Sequence, residues 1–482
     1  MAKLKITAVL LLLCLLFLCV FFLTAKSLIV NEYDGKQVAF LKNLAQTRTG
    51  QFFIRHYTSQ LNFLAGCKLG EYNKLNSSEK VYFELSRWIF IGLAVRVVWV
   101  ISAVLMIMYC ISINSSAFPT PRKYTILISL LVILNGTIVR LIMASAFYGN
   151  IDMRYYEVDA NFAMTGDNIY AHVKAYNYTP VWLMTLGFLK YIQLQMSSVS
   201  FHFVVRSFLC LADIVTLVFL LLIANLRKIS LHKVALLFYL NPVSFLITGY
   251  HGQFDNLAVL MVVIGLFIYL KLNQKSVWGI VALWLLATAG MIIKHNIFYE
   301  LIICLNSAIK RYRIKLLLFA VSVCLFLVTF IPYWSQGSQG IIENVFQYSS
   351  AVGEYGFASL LGLPQFKYLF ITGMFVFPFL LGGRDIIRQC LLGFLFFVSF
   401  TSGWGIQYFV LPLAVGSLYS SKGFLFYCLL ASEFILENKN NVFVPGLNIH
   451  VNVVWLCALF WFFSELWYSR RNTAITAAQK LT

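Results

Sequence analysis

The residues best suited to chemistry begin with an acidic stretch at positions 150–159, NIDMRYYEVD, which follows an apolar segment. A carboxylate just outside a bilayer can serve as general base toward a hydroxyl, while its neighbours bind or orient the acceptor. Asp152 is therefore the candidate base, and Arg154 and Glu157 are candidate substrate ligands. The alternative is a solvated acidic loop that only helps to set membrane topology.

A second polar patch lies at positions 250–256, YHGQFDN, where one apolar run ends and another begins. Gly and Asn would satisfy a plain turn, so His251, Gln253 and Asp255 together favour a binding role. A histidine can contact a phosphate, and a glutamine or aspartate can contact sugar hydroxyls.

A third signal is the pair Lys294 and His295, which stands between two apolar runs. Charge at membrane depth is costly and usually functional, so Lys294 is a candidate partner for a lipid phosphate. The alternative is that Lys294 reaches to the membrane interface. Arg206 is a further candidate cation, and for Asp213, seven residues on, a structural ion pair is favoured.

Weaker signals come from aromatic and polar residues at other predicted outer ends. Aromatic rings often stack on sugars, although Trp and Tyr are also common at membrane interfaces. The candidate ligands here are Glu354, Trp404 and Gln407, while Tyr178 is a candidate ligand in the first outer loop, 150–179.

Composition points to lipid as the main solvent, because 60% of the 482 residues are hydrophobic and 11% are charged. Apolar stretches near bilayer length predict an all-α polytopic membrane protein with roughly 12–14 transmembrane helices. The formal charge of +19 comes from basic clusters between these stretches, as expected of cytoplasmic loops. No basic-aromatic module accompanies it, so no nucleic-acid partner is expected.

The predicted organisation has three parts. Residues 1–29 form a signal-anchor helix, since the apolar run is long and lacks an A-x-A site. Residues 30–87 form an extracytoplasmic segment, and residues 88–482 form the polytopic domain with a catalytic outer loop at 149–180. The stretch 181–195 is expected to lie in the interface or to re-enter, because a full crossing would leave Arg227 outside. The ten cysteines show neither a disulfide framework nor zinc spacing.

Taken in order, the motifs between positions 140 and 408 resemble the GT-C superfamily of polytopic glycosyltransferases. Asp152, Tyr178 with Pro180, and the 250–256 stretch match the family's order and sidedness. The 250–256 stretch is similar to the DHGHFQYN-type motif of dolichyl-phosphate-glucose-dependent enzymes, and Lys294-His295 resembles their later Lys-Gln or Lys-His motif. The GDNIY and YTP stretches look closer to bacterial polyprenyl-phosphate-mannose-dependent enzymes.

The resemblance implies a GT-C-like fold and a hexosyltransferase. One hexose, with mannose favoured, would pass from a polyprenyl- or dolichyl-phosphate donor to a hydroxyl of a glycan, glycolipid or protein acceptor, with inversion. Asp152 would deprotonate the acceptor, and Lys294 and His251, then Arg206, would stabilise the phosphate. The resemblance implies that the enzyme uses neither a cofactor nor a metal. It also implies an extracytoplasmic active site, with the bacterial plasma membrane favoured over the endoplasmic reticulum.

Two other functions stay open. A secondary transporter or lipid-linked-sugar flippase would use the intramembrane charges, Glu300 among them, to couple ions to solute movement. It predicts internal symmetry, and no inverted repeat is evident in the sequence. A non-catalytic assembly protein is the third.

Overall fold

Apolar helices build the fold, and no β-strand occurs among the residues that the structure describes. Helices suit a bilayer because lipid offers no hydrogen-bond partner to backbone N–H and C=O groups. The computed structural model describes residues 2–24, 46, 77–111, 122–146, 151–174, 176–196, 199–347, 355–362, 366–403, 405–419, 421–437 and 449–479. The predicted all-α fold is confirmed.

The α-helices, numbered along the chain, are α1 (Ala2–Thr24), α2 (Ser77–Ile111), α3 (Arg122–Ala146), α4 (Ile151–Thr165), α5 (Ile169–His172), α6 (Pro180–Gln195), α7 (Phe201–Leu226), α8 (Leu231–Tyr239), α9 (Pro242–Phe245), α10 (Asp255–Lys271), α11 (Val277–Ile293), α12 (Phe298–Ala308), α13 (Tyr312–Val328), α14 (Ile331–Gly340), α15 (Gly356–Leu361), α16 (Phe366–Leu380), α17 (Ile386–Phe400), α18 (Leu413–Gly416), α19 (Lys422–Glu437) and α20 (Val451–Gln479). Four short elements of other helical types are π-helices at Leu246–His251 and Ile341–Phe346 and 3-10 helices at His295–Ile297 and Ile406–Val410.

Several of these helices are long and apolar enough to cross a membrane, which makes the chain a multi-pass membrane protein. Within the described residues they are Lys3–Leu23, Gly92–Cys110, Tyr124–Ser145, Phe201–Leu226 and Val451–Ser469. Two bent pairs would raise the number from 5 to 7, and four shorter helices are also apolar. The predicted roughly 12–14 spans exceed this set even with the shorter helices included.

The bent pairs explain part of that difference. The first joins α8 to Pro242–His251 at an angle of 45°, and the second joins α13 to Ile331–Phe346 at 80°. A proline stands in the first turn after each break, where it starts a new helix but cannot continue the old one. Apolar runs that look continuous in sequence therefore fold as bent pieces.

Two predicted regions near the N-terminus can be located only in part. Helix α1, in the predicted anchor, packs along α3, and the Asn135 side chain donates to the Leu11 carbonyl at 3.0 Å. Most of the predicted 30–87 segment lies outside the described residues. Its last part, from Ser77, is already helical and continues into the span Gly92–Cys110.

Helices α4 and α6 pack against each other as a hairpin that presents apolar side chains outward. In α6, Trp182 and Leu186 are buried, while Met184 and Phe188 are 66% and 61% exposed. Its 16 residues reach about 24 Å, short of the roughly 30 Å of a hydrocarbon core. The interfacial or re-entrant path of 181–195 stays a prediction.

Candidate active site

A buried turn between the π-helix Leu246–His251 and α10 forms the centre of the site. Gly252 has φ +68°, and a Cβ at this position would collide with the Met153 sulfur of α4. The turn therefore needs glycine, both for its left-handed backbone and for the close approach of α4. It aims Gln253 and Asp255, both 0% exposed, into the protein. Single π-helical turns of this kind are frequent at functional sites.

The Gln253 side chain holds the candidate base. Its amide nitrogen donates a hydrogen bond to the Asp152 carboxylate, and its amide oxygen accepts one from the Tyr156 hydroxyl at 3.2 Å. Asp152 and Tyr156 are one helical turn apart on α4, so both face the same way. Asp152 is only half-buried, so an acceptor hydroxyl can approach the carboxylate.

Asp255, two residues along, holds the candidate cation. The Lys294 ammonium lies 3.2 Å from the Asp255 carboxylate, in the connection after α11. Both side chains are shielded, at 9% and 0% exposure. Neither Asp255 carboxylate oxygen has a hydrogen-bond partner among the described residues, so the ion pair of Oδ2 with Lys294 is the contact that compensates its charge. An ammonium carries three donors, so Lys294 can bind a further anion while it remains paired.

Aromatic rings join these two halves. Phe254 stacks on Trp182 with ring centroids 4.0 Å apart, and the Lys294 ammonium lies 4.3 Å from the Phe254 centroid. Tyr178 lies 5.2 Å from Phe254 and 5.9 Å from Tyr156, centroid to centroid. Tyr178 thus packs beside these groups, and its role as a substrate ligand stays a prediction. Tyr156, Trp182 and Phe254 were not predicted, although Tyr156 lies at the i+4 position from Asp152.

The two histidines lie next to these groups. His251 is 6% exposed and close enough to Asp152 for an electrostatic interaction. His295 follows Lys294 directly and lines the large cavity described below. Gln407 lies on the 3-10 helix Ile406–Val410, which packs against the elements that carry His251 and Asp255. Glu354 and Trp404 lie outside the described residues.

Arg206 is buried among backbone carbonyls. Its guanidinium donates to the Ala144 carbonyl at 2.7 Å and to the Tyr250 carbonyl at 3.3 Å. These bonds tie α7 to the end of α3 and to the π-helix just before the central turn. The contact of Arg206 with a donor phosphate stays a prediction.

The structural ion pair favoured for Asp213 is confirmed, and its partner is Arg140 at 3.1 Å. Both side chains are completely buried, and Asp213 also accepts from Thr248 and Asn256 at 2.7 Å each. A buried charge pair is tolerated only when such additional hydrogen bonds satisfy it. The network fixes the π-helix and the start of α10 on α7, and so supports the turn that carries Gln253.

The remaining acidic residues of α4 point in different directions. Glu157 faces away from Asp152, about 140° around the helix, and contacts Lys190 and His202 at 3.1 and 3.3 Å. The hydrogen bond from His202, with help from Lys190, lowers the pKa of Glu157 to about 2. Asp159 is 2% exposed, and burial, with the charge of Asp152, raises its pKa to about 7. Arg154 is exposed.

A cavity of about 430 Å³ opens beside the turn that carries Lys294. Apolar side chains from α12, α13, α16 and α17 form most of its wall. Its polar lining comprises His295, Asn296, Lys367, Thr401, Ser402 and Tyr408. Both side-chain amide atoms of Asn296 are buried and lack a hydrogen-bond partner among the described residues. Buried polar atoms are rarely left unpaired, so this arrangement favours an amphiphilic ligand.

Neither a family model, nor a curated protein, nor a solved structure matches the chain. Within the described residues, no group of three or more His, Cys, Asp or Glu side chains is placed to hold a metal ion. Function therefore has to be inferred from the geometry of the site itself.

Proposed function

We propose that the protein is a GT-C-type glycosyltransferase. It transfers a single hexose, with mannose favoured, from a polyprenyl- or dolichyl-phosphate donor to an acceptor hydroxyl on the extracytoplasmic side. The acceptor is a glycan, a glycolipid or a protein, and the bacterial plasma membrane is favoured over the endoplasmic reticulum as its location. The reaction needs neither a metal nor a cofactor.

One observation carries this proposal: a single turn holds both a carboxylate and a cation. Gln253 contacts Asp152, which lies 101 positions earlier in the chain, and Asp255 contacts Lys294, which lies 39 positions later. The candidate base and the candidate cation therefore meet at one turn. Transfer from a lipid phosphate needs a base for the acceptor and a cation for the leaving group. The turn between the π-helix Leu246–His251 and α10 positions both groups, through Gln253 and Asp255.

The proposed reaction is an inverting displacement. The acceptor oxygen attacks the anomeric carbon while Asp152 takes the hydroxyl proton. The bond between the anomeric carbon and the phosphate oxygen breaks, and its electron pair leaves with the lipid phosphate. Lys294 stabilises the charge that develops there, and because a phosphate needs little protonation on leaving, one base suffices.

The large cavity is suited to the donor's lipid chain. Its apolar wall includes Phe298, Phe326, Phe370 and Phe375. His295, which also lines the cavity, is the neighbour of Lys294 in the chain, so one edge of the cavity lies next to Lys294. A prenyl chain in this cavity would bring its phosphate to the polar edge. Burial of apolar chain surface would add affinity at roughly 25 cal/mol per Å².

A transfer assay with reconstituted protein tests the proposal. Vesicles containing the wild-type chain receive labelled polyprenyl-phosphate mannose or glucose and a membrane extract as acceptor source. We expect label to move from the lipid phosphate to an acceptor fraction with wild type, and not with Asp152→Asn. Equal transfer by both would remove Asp152 as base.

A flippase or transporter remains a second candidate because Glu300 of α12 is completely buried. Within the part of the chain that is described, its carboxylate has no hydrogen-bond partner other than the Cys390 thiol. Movement of intact lipid-linked sugar across sealed vesicles, without transfer to an acceptor, would favour this function over the transferase.

A further inference from the structure

A groove runs between α13 and α16, with α12 as its floor. The large cavity occupies one part of it, and a second cavity of about 150 Å³ occupies another. Phe319 of α13 and Phe375 of α16 line both cavities, so the two meet at this pair of rings. The second cavity lies toward the end of α12 and the start of α13, away from Lys294.

The wall of the second cavity is almost entirely apolar. Leu305, Leu316 and Phe379 belong to it, and Asn306 and Lys315 line it mainly through their carbon atoms. The Lys315 ammonium donates to the Asn306 side-chain oxygen at 2.6 Å, and the Asn306 amide donates to the Pro378 carbonyl at 3.0 Å. These bonds fix a cation at the end of an apolar space.

Three more cations lie beside Lys315. Lys310, Arg311 and Arg313 are exposed, in the turn before α13 and in its first turn. No carboxylate of a described residue forms an ion pair with any of the four. Basic loops of this kind are typical of the cytoplasmic face, where anionic headgroups attract them.

We propose that the second cavity and these four cations form a binding site for an anionic glycerophospholipid. One acyl chain occupies the apolar cavity, and the phosphate contacts Lys315 and Arg313. The Arg313 guanidinium can offer two parallel donors to phosphate oxygens. A neutral lipid would leave the cations unpaired, and a free phosphate would leave the cavity empty. The proposal involves neither the base nor its cation, and its cavity shares the Phe319–Phe375 pair with the cavity proposed for the donor's lipid chain.

Thermal unfolding of the purified full chain in detergent micelles tests this site. Added phosphatidylglycerol is compared with phosphatidylcholine of the same acyl chains, and the midpoint is followed by tryptophan fluorescence. We expect phosphatidylglycerol to raise the midpoint more. The double variant R313A/K315A should bind phosphatidylglycerol roughly tenfold more weakly or worse. The matched control K271A/K275A removes two exposed lysines around another turn and should keep the full effect.

A second variant tests the cavity itself. Leu316 is 49% exposed on α13 and lines the cavity, so Leu316→Trp fills it without altering charge. We expect a smaller phosphatidylglycerol effect in this variant. The proposal is overturned if both lipids raise the midpoint equally, or if inorganic phosphate gives the same rise. The proposal is also overturned if R313A/K315A and K271A/K275A lose the phosphatidylglycerol effect equally, or if Leu316→Trp keeps the full phosphatidylglycerol effect.

Discussion

The side-chain amide of Gln253 donates a hydrogen bond to the carboxylate of Asp152, although the two residues lie 101 positions apart in the chain. The same amide accepts from Tyr156, so its orientation is fixed by α4 at both ends. A carboxylate held in this way keeps a fixed orientation, as a base toward an incoming hydroxyl requires.

Replacement of Asp152 by asparagine should lower the turnover of transfer by about 10²–10⁴-fold, because a general base contributes that much. Donor KM should change little, since Asp152 acts on the acceptor. The matched control is Asp167→Asn, an exposed acid of the same region that accepts from Thr165 at 2.7 Å. The assay is initial-rate transfer in vesicles, and comparable rates in both variants would contradict the role of Asp152.

Gln253→Ala should lower turnover by roughly tenfold or more while donor KM stays close to wild type, because the base is then no longer oriented. Tyr156→Phe removes only the hydroxyl that orients Gln253 and should have a smaller effect in the same direction. Steady-state kinetics with separate turnover and KM values provides the check. A rise in KM at constant turnover would instead assign Gln253 to substrate binding.

Lys294→Met should destabilise the protein by about 3 kcal/mol, because it leaves Asp255 buried without its cation. The double variant Lys294→Met with Asp255→Asn removes both charges and should recover most of the unfolding midpoint. Transfer should stay low in both, since the donor phosphate has lost its cation. Recovery of transfer in the double variant would make the role of Lys294 purely structural.

The buried carboxyl of Asp159 should make stability depend on pH. Its pKa in the folded protein, about 7, is above the usual 3.8, so folding favours the protonated form. The stabilisation is fully present below pH 3.8 and is lost as the pH rises toward 7. Unfolding midpoints between pH 4 and pH 8 should fall with rising pH in wild type and fall less in Asp159→Asn. Identical slopes would contradict this.

The large cavity should determine the preference for donor chain length. Met374 is 6% exposed and lines the cavity, so Met374→Trp should raise KM for a long-chain donor by several fold. A short-chain donor should be used as by wild type. Leu369→Trp, at a 66% exposed position of the same helix, is the control. An equal effect on both donors would place the lipid chain elsewhere.

Much of the fold was predictable because lipid restricts the chain to helices, and apolar stretches near bilayer length record this directly. The sequence also singled out Gln253, Asp255 and Lys294, which the structure brings together around one turn, while their roles stay predictions. These predictions rest on residue type and position along the chain. Neither requires knowledge of how the helices pack.

Pairings across helices were not predictable in the same way. Asp213 and Arg206 share a helix face in sequence, yet Asp213 pairs with Arg140 of another helix, and Arg206 turns to backbone carbonyls. The partner of each charge depends on the relative positions of α3 and α7. The spacing of residues along one helix does not give these positions. The stack of Phe254 on Trp182 was missed for the same reason.

The short turn at 252–254 has a mechanical consequence. Changes in bilayer thickness or lateral pressure tilt and slide helices past one another. Such movements would change the distance between groups on separate helices. Asp152 and Lys294, however, contact Gln253 and Asp255, which are only two residues apart in the chain. We therefore expect the distance between Asp152 and Lys294 to change little with the physical state of the surrounding lipid.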